Sequence, residues 1–577
     1  MAISRRSYPF CSPSLVSRLH TLVSDRQRRS HSSTGEDDDT GSVLPPAEGS
    51  YDPSSWKTVD SRAVGIRRSS ISSSTWTVLN ILQGKGFDAY LVGGCVRDLL
   101  LKRTPKDFDV ITSATLKQIK KQFRRCIIIG RRFPICQVHV QGSIVEVSSF
   151  NTNDKDMKKQ KEDVPSQVSN GCDVNDFIRW KNCMDRDFTI NSLFFDPTRY
   201  TIYDYVGGIR DLRILKVRTV IPAHLSFDKD CARILRGLRI VARLGLQFSK
   251  ETAAAIRDLS SSILTLNESR LRMELNFMLA YGAAESSIRL LQKFKLLDIL
   301  LPIQAAYLAD QSRKQVAKGS TMLMKLFSNA DKLLAADHPA DSILWLALLA
   351  FHLALVENPQ DALVVWTFSA ILHNGTWKKA AEYARKNVKA HAQFVPEIRS
   401  SSDTKSDELI LEETSHLASL VKSSVNAFTR IDALQQSLGR YQGPLSSGVV
   451  LLVSERMGSN VSNLFKILES NIESYDNSRK TSEVNYQLLK KGDPDETRFM
   501  LGKIIMETMN INYPKHIARR CGYFASSEVI RPSHLELDRC PRFRIGTHGE
   551  LRAGISERRT DRIEGGEVSS GIWKIGV

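Results

Sequence analysis

The sequence predicts an α+β chain, with a small head of strands and short helices followed by a long helical body. Three observations lead there. Between Ala89 and Val147 the apolar residues fall in short or alternating runs, as strands require. Beyond Asp228 almost every stretch has helical period, as in Ile234/Leu235/Leu238/Val241/Leu244 and Ile288/Leu291/Phe294/Leu297/Leu300. A composition of 42% hydrophobic and 25% charged residues supplies enough apolar side chains for a sizeable core and excludes wholesale disorder.

The elements follow in order. About the first 34 residues are rich in Ser and Arg and hold a single acid, Asp25, the composition of an organellar transit peptide. An acidic, Gly/Pro/Ser-rich spacer follows. Thr77 to Gln83 reads as a helix ended near Gly84 and Gly86, and Ala89 to Val92 as a strand stopping at Gly93-Gly94. Val96 to Leu101 reads as a helix and Phe108 to Ile111 as a second strand. Cys126 to Ile129 and Gln137 to Val147 alternate like paired strands, with Glu146 read as an exposed strand residue. Residues 151 to 176 are polar and lysine-bearing, and read as a loop. The last ~45 residues lose the pattern and carry arginine in loop-like sequence. Trp345 and Trp366 belong to core helices.

Charge and cysteine usage narrow the partners. Eighty-one basic against 63 acidic residues leave +18, a statement about partners, with nucleic acid the commonest polyanion to suspect. Nine scattered cysteines with no C-x-x-C pair make neither a disulfide framework nor a structural zinc site. The longest apolar run, Ile343 to Val356, is interrupted by His352 and suits a buried helix better than a membrane span.

The chemistry concentrates in Leu91 to Thr112, LVGGCVRDLLLKRTPKDFDVIT. A strand ends, two glycines permit a tight turn, and a helix begins whose first turn carries Arg97. Such a turn aims backbone N–H groups outward, where a polyphosphate can sit. Asp107 and Asp109 follow at i and i+2, which on one strand would place both carboxylates on one face. Converging oxygen ligands there suit Mg²⁺ bridging nucleotide phosphates.

This stretch resembles the head of the family that joins class II tRNA nucleotidyltransferases and bacterial-type poly(A) polymerases. The family pattern, G-G-x-V-R-D-x-L-L then D-x-D, is met at Gly93, Gly94, Val96, Arg97, Asp98, Leu100, Asp107 and Asp109. Asp185 to Leu193, DRDFTINSL, is similar to R-R-D-F-T-I-N-A-L, matching at Arg186, Asp187 and Asn191 with Asp185 replacing the leading Arg. Asp204 to Leu212 resembles the link to the family's neck. Asp230 to Leu246 resembles the neck helix that begins E-D-x-x-R, with Asp230 and Arg233 matching and Lys229 replacing Glu. Residues 269 to 275, SRLRMEL, are similar to E-R-I-x-x-E-L with Ser269 in place of Glu.

The resemblance implies a polymerase-β-like nucleotidyltransferase head with a mixed sheet, residues 75–215, then a helical neck that recognises the base, 216–300. A helical, RNA-binding body and tail would follow at 301–525. Residues 1–60 would be transit peptide and linker, and 526–577 a basic tail. Asp107 and Asp109 would hold two Mg²⁺ ions. Gly93, Gly94 and Arg97 would hold the triphosphate of ATP. Arg186, Asp187 and Asn191 would orient the nucleotide, with Asp187 reading a ribose hydroxyl. Asp230 and Arg233 would face the base edge, and Arg236 and Arg239 would reach phosphates. Asp98 pairs locally with an arginine in this reading.

The head alone does not separate poly(A) addition from CCA addition. Ile128 to Val138, IIGRRFPICQV, meets at every position a pattern associated with bacterial poly(A) polymerases, which favours AMP addition to RNA 3′ ends, mRNA or tRNA. CCA addition is the alternative. The departures at Asp185 and Lys229 open a third reading, a weakened or silent relative that only binds RNA. The amino-terminal composition points to a mitochondrion or chloroplast, without excluding a cytosolic or nuclear pool. No membrane partner is expected.

Overall fold

The computed structural model describes residues 52–130, 134–150, 173–314, 321–388, 394–401, 405–441, 453–476 and 483–510, with residues 479 and 481. All of them fall within one compact unit, Met1–Asn512. The transit segment, Arg131 to Phe133 of the polyadenylation-type stretch, the lysines of the 151–176 loop and the basic tail lie outside the described residues.

The head is built on a mixed sheet of eight strands. They are β1 (Lys57–Asp60), β2 (Ala89–Val92), β3 (Asp109–Thr112), β4 (Cys126–Ile129), β5 (Ile135–Val140), β6 (Ser143–Ser149), β7 (Phe194–Asp196) and β8 (Thr201–Asp204), in the order β1-β8-β7-β2-β3-β6-β5-β4. Only β3 and β6 pair in parallel, with Asp109 opposite Glu146; the other neighbours are antiparallel. The alternating run from Gln137 is two strands rather than one. It breaks at Gln141-Gly142, both at positive φ (50° and 75°), the backbone of a two-residue hairpin turn.

Strand β2 explains why the sheet is buried on both faces. Ala89 and Leu91 point into the main core, whereas Tyr90 and Val92 join a second cluster with Ile111, Cys183, Phe194 and Tyr205. Arg179 enters that second cluster and donates to the hydroxyls of Tyr205 (2.6 Å) and Tyr90 (2.7 Å), so its buried charge is fully engaged. Helix α1 (Ser73–Gly84) starts at Ser72, whose side chain accepts from the Thr75 amide. It covers the main-core face with Val78, Leu79 and Leu82.

From the head the chain passes through α2 (Gly94–Leu100), α3 (Leu116–Gln122), α4 (Val174–Met184) and α5 (Gly208–Arg213) to the neck. Asp204 caps α5 by accepting from the amides of Gly208 and Ile209, both at 2.9 Å. The neck begins with α6 (Ala223–Lys229), α7 (Ala232–Leu244), α8 (Lys250–Asp258) and α9 (Glu268–Leu279). Helix α7 buries Ile234, Leu235, Leu238 and Val241 and ends at Gly245 in the left-handed conformation (φ 68°). Its central Gly237 lies against the head: a Cβ there would come within 2.8 Å of the Phe188 ring and 3.1 Å of Phe248. The absence of a side chain at 237 therefore sets how closely the neck approaches.

The body is helical, as expected. Ser342–Glu357 and Ala362–Asn374 are buried nearly all round, and Trp345 and Trp366 lie inside the core. Gly502, on the helix Pro494–Met509, faces the Ser369 carbonyl, which a Cβ would meet at 2.5 Å. No described helix is long and apolar enough to cross a membrane.

Replacing Gly237 by Ala should force the neck away from Phe188 and cost about 1–3 kcal/mol, the usual penalty of overpacking. Urea unfolding should register the loss. An unchanged midpoint would show that the ring gives way freely.

Candidate active site between head and neck

Gly93 sits at the hub of the site. Its φ of 76° and ψ of −136° suit only glycine, and they turn the chain from β2 into α2. The direction a side chain would take points at Arg186 Nη1 (3.4 Å), Asp109 Oδ2 (3.7 Å) and the Asn191 carbonyl (4.0 Å). Residues nearly 100 positions apart thus converge on one glycine.

A chain of buried hydrogen bonds holds them. Asp98 Oδ1 accepts from Arg97 Nε (2.9 Å) and Nη2 (2.8 Å). Arg97 Nη1 donates to Asn191 Oδ1 (2.6 Å), and Asn191 Nδ2 donates to Asp187 Oδ1 (3.1 Å). Asp187 Oδ1 also accepts from the Phe188 amide (2.8 Å), and Oδ2 accepts from Arg236 Nη1 (3.0 Å) on α7. Burial pulls the Asp187 carboxyl upward, but the Arg236 charge and the hydrogen bonds outweigh it and hold it below the usual carboxylate range.

The two acidic residues of the D-x-D differ more than their spacing suggests. Asp107 lies in a bend before β3 and is 72% exposed, with the Lys106 ammonium 3.8 Å from Oδ2. Asp109 opens β3 and is half-buried. One strand face therefore does not carry both. Register brings another carboxylate instead: Glu146, opposite Asp109 on β6, with Gln137 Nε2 at 3.4 Å from its Oε1. Burial, with Glu146 and Asp107 adding like charge against the pull of Arg186, pushes the Asp109 carboxyl up to about 6. Glu146, read from alternation as an exposed strand residue, is half-buried beside the site. The parallel β3–β6 register that puts it there leaves no mark in local sequence.

Among the described residues no cluster of three or more His, Cys, Asp or Glu forms a ready metal cage. The donor set nevertheless fits Mg²⁺, which takes one or two carboxylates and completes its shell with substrate phosphate and water. An Asp109 whose ionisation is opposed by two like charges gains from a cation beside it.

Of the arginines expected on phosphate or base, most are already engaged. Arg97 and Arg236 are neutralised by Asp98 and Asp187. Arg239 lies 3.3 Å from the buried Glu274. Arg233 donates to Ser226 Oγ (2.8 Å) within the neck and to the Asp185 carbonyl (2.7 Å) of the head, so its two terminal nitrogens hold neck and head together instead of facing a base. Asp187, with both oxygens occupied, positions Arg236 and Asn191 and does not stand open to a ribose hydroxyl. Arg186 differs: anchored to Asn182 Oδ1 (3.1 Å) and the Asn191 carbonyl (3.2 Å), it lies along Gly93 with no carboxylate in ion-pair range among the described residues. Asp230 is half-buried at the start of α7, where Oδ1 accepts from the Ala232 amide (3.2 Å).

The two departures from the family motifs meet each other. Lys229 Nζ lies 2.8 Å from Asp185 Oδ1. The acidic residue on the head and the basic one on the neck, each opposite in charge to the family motif, thus form an ion pair between the two elements.

With this geometry in view, residues 89–218 match the family described as poly A polymerase head domain, and 245–308 the one described as probable RNA- and SrmB-binding site of polymerase A. These two regions are thus similar to the head and RNA-binding parts of bacterial-type poly(A) polymerases. Poly(A) polymerase I of Haemophilus influenzae is 32% identical over 268 residues, 46% of this chain and 58% of that one. Poly(A) polymerase I of Escherichia coli (strain CFT073) is 32% identical over 298 residues, 51% and 63%. The CCA-adding enzyme of Staphylococcus epidermidis is also 32% identical, over 220 residues, 38% and 52%. The chain thus spans about three-fifths of the length of these poly(A) polymerases.

The Asp185–Lys229 pair is half exposed or more on both sides, so it should contribute only about 0.2–1 kcal/mol. In a double-mutant cycle, Asp185→Lys and Lys229→Asp should each destabilise, and the double exchange should recover the loss. Strictly additive effects in urea unfolding would show that the two side chains do not interact.

Proposed function

We propose that the protein is a template-independent RNA 3′-end nucleotidyltransferase that adds AMP from ATP and releases pyrophosphate. The observation that carries this reading is the convergence of Asp109, Arg186 and Asn191 on the Gly93 turn, with the neck clamped over it through Arg233 and Arg236. In the reaction the RNA 3′-oxygen attacks the α-phosphorus and the bond to the β-phosphate oxygen breaks. The chain's own part is placement. Arg186 lies where a triphosphate at the glycine turn would bring its charge. The bonded chain from Asp98 to Arg236 fixes the turn before substrate arrives, so little reorganisation is needed. Asp107 and Asp109, with Glu146 alongside, would hold Mg²⁺, which when bound supplies Lewis-acid activation of the hydroxyl and charge neutralisation on the departing pyrophosphate.

Two observations support polyadenylation: the Ile128–Val138 pattern, and the longer stretch matched with poly(A) polymerases than with the CCA-adding enzyme at equal identity. CCA addition is the second reading, favoured by that same 32% identity to a CCA-adding enzyme. The Asp185–Lys229 pair weakens one ground for a silent relative, because the two departures together make a head–neck contact. For location we propose an organelle, on the composition of the amino-terminal segment.

Purified protein given labelled RNA and one nucleotide at a time should build long A-tails from ATP alone. Completion of C-C-A on trimmed tRNA, without tails, would move the assignment to the second reading. Asp109→Asn should lower incorporation by at least about a hundredfold while RNA binding persists; retained activity would refute the metal assignment. Removing about the first 50 residues should abolish uptake by isolated mitochondria or chloroplasts and spare catalysis, whereas equal uptake of both forms would refute the organellar assignment.

A further inference from the structure

Next to the carboxylates, and outside the motifs read from sequence, helix α9 presents a stripe of Met273, Phe277 and Tyr281 at i, i+4 and i+8, with Tyr281 two residues past the helix end. Side chains at this spacing lie along one helix face. Met273 is 39% exposed and both rings are half-buried, with centroids 5.1 Å apart in an edge-on arrangement. The stripe is ringed by cations. Lys106 Nζ lies 5.2 Å from the Tyr281 centroid and 5.8 Å from that of Phe277, and the Arg239 guanidinium is 4.8 Å from Phe277. Lys106 is the sequence neighbour of Asp107 and sits 3.8 Å from it, so the stripe begins at the candidate metal carboxylates.

Two more arginines extend this rim. Arg103 donates to the Arg243 carbonyl (3.4 Å), and neither guanidinium has a carboxylate in ion-pair range among the described residues. The Arg243 charge is felt by groups of the site itself, Asp98 and Asp107 among them. A purely structural aromatic pair needs no such surround of positive charge. Single-stranded nucleic acid needs both parts, cations for its phosphates and a ring for its bases.

We infer that Phe277 and Tyr281 form the seat for the 3′-terminal base of the RNA, with Lys106, Arg103 and Arg243 taking the adjoining phosphates. This rests on the RNA 3′-end reading and names the surface that would bring the strand's hydroxyl to Asp107 and Asp109. Stacking tolerates any base, so this surface would hold an RNA end of any sequence while leaving choice of the incoming nucleotide to other residues. Arg239, ion-paired with Glu274 and lying over Phe277, is a positioning residue for the ring.

The test uses a short oligoadenylate whose 3′-terminal base is 2-aminopurine, a fluorophore quenched by aromatic stacking, with the full chain. Binding to the unaltered protein should quench it. Phe277→Leu, which keeps apolar bulk, should relieve the quenching and raise KM for RNA about tenfold, with KM for ATP within about twofold. Phe277→Trp should restore both signals, and thermal melting checks that the variants fold. If the unaltered protein extends RNA but Phe277→Leu leaves quenching and the RNA KM as they were, the base seat is wrong and the functional reading stands. A rise in KM for ATP alone would assign the stripe to the incoming nucleotide and overturn the inference. An unaltered protein that neither binds nor extends RNA overturns both.

Discussion

A single half-buried amide, Asn191, ties the two sides of this site together. Its oxygen accepts from Arg97 and its nitrogen donates to Asp187, so it joins the helix after the glycine turn to the neck arginine Arg236. The ion pairs at the ends of this chain are largely shielded from water. Partners of that kind contribute little net stability, yet losing one leaves an uncompensated charge that costs several kcal/mol. The asymmetry makes the network a locating device. Head, glycine turn and neck can meet in one arrangement only, because any other would strand Arg97 or Asp187.

That constraint allows the site to hold charges that oppose one another. Asp109 is half-buried, faces Glu146 across a parallel register and has Asp107 nearby, which together push its carboxyl up to about 6. A free carboxylate would avoid such company. Here the strands fix it, and the repulsion becomes an affinity for a divalent cation. The neck adds its own fixed distance through Gly237, where a Cβ would collide with Phe188, the residue following Asp187. A polar network and an absent side chain thus set the same separation.

Much of this was legible in the sequence, for a local reason: glycine turns, strand alternation and helical period act over a few residues. Gly93, Arg97, Arg186, Asp187 and Asn191 stood out as chemistry and do come together. The fold class and the buried Trp345 and Trp366 followed from periodicity. The errors have a common source. The i, i+2 spacing places Asp107 and Asp109 on one strand face, but the strand begins only at Asp109. Glu146 was underrated because its neighbour is set by pairing 37 residues away. Asp185 and Lys229 read as separate losses because nothing in linear sequence says that two reversals, 44 residues apart, face each other at 2.8 Å. Long-range register and interfacial pairing require the fold.

The same distinction reassigns the positive charge. Arg97, Arg236 and Arg239 are neutralised by Asp98, Asp187 and Glu274, so none of these three adds a free charge for substrate, while Arg233 keeps its charge but spends its terminal N–H groups on Ser226 and a backbone carbonyl. They shape the site. Beside the carboxylates, the cations with no carboxylate in ion-pair range among the described residues include Arg186 at the glycine turn, Arg243 and its neighbour Arg103, and these can draw a polyanion. The Arg186 charge acts on Asp109 and the Arg243 charge on Asp107, so each bears on one carboxylate of the pair.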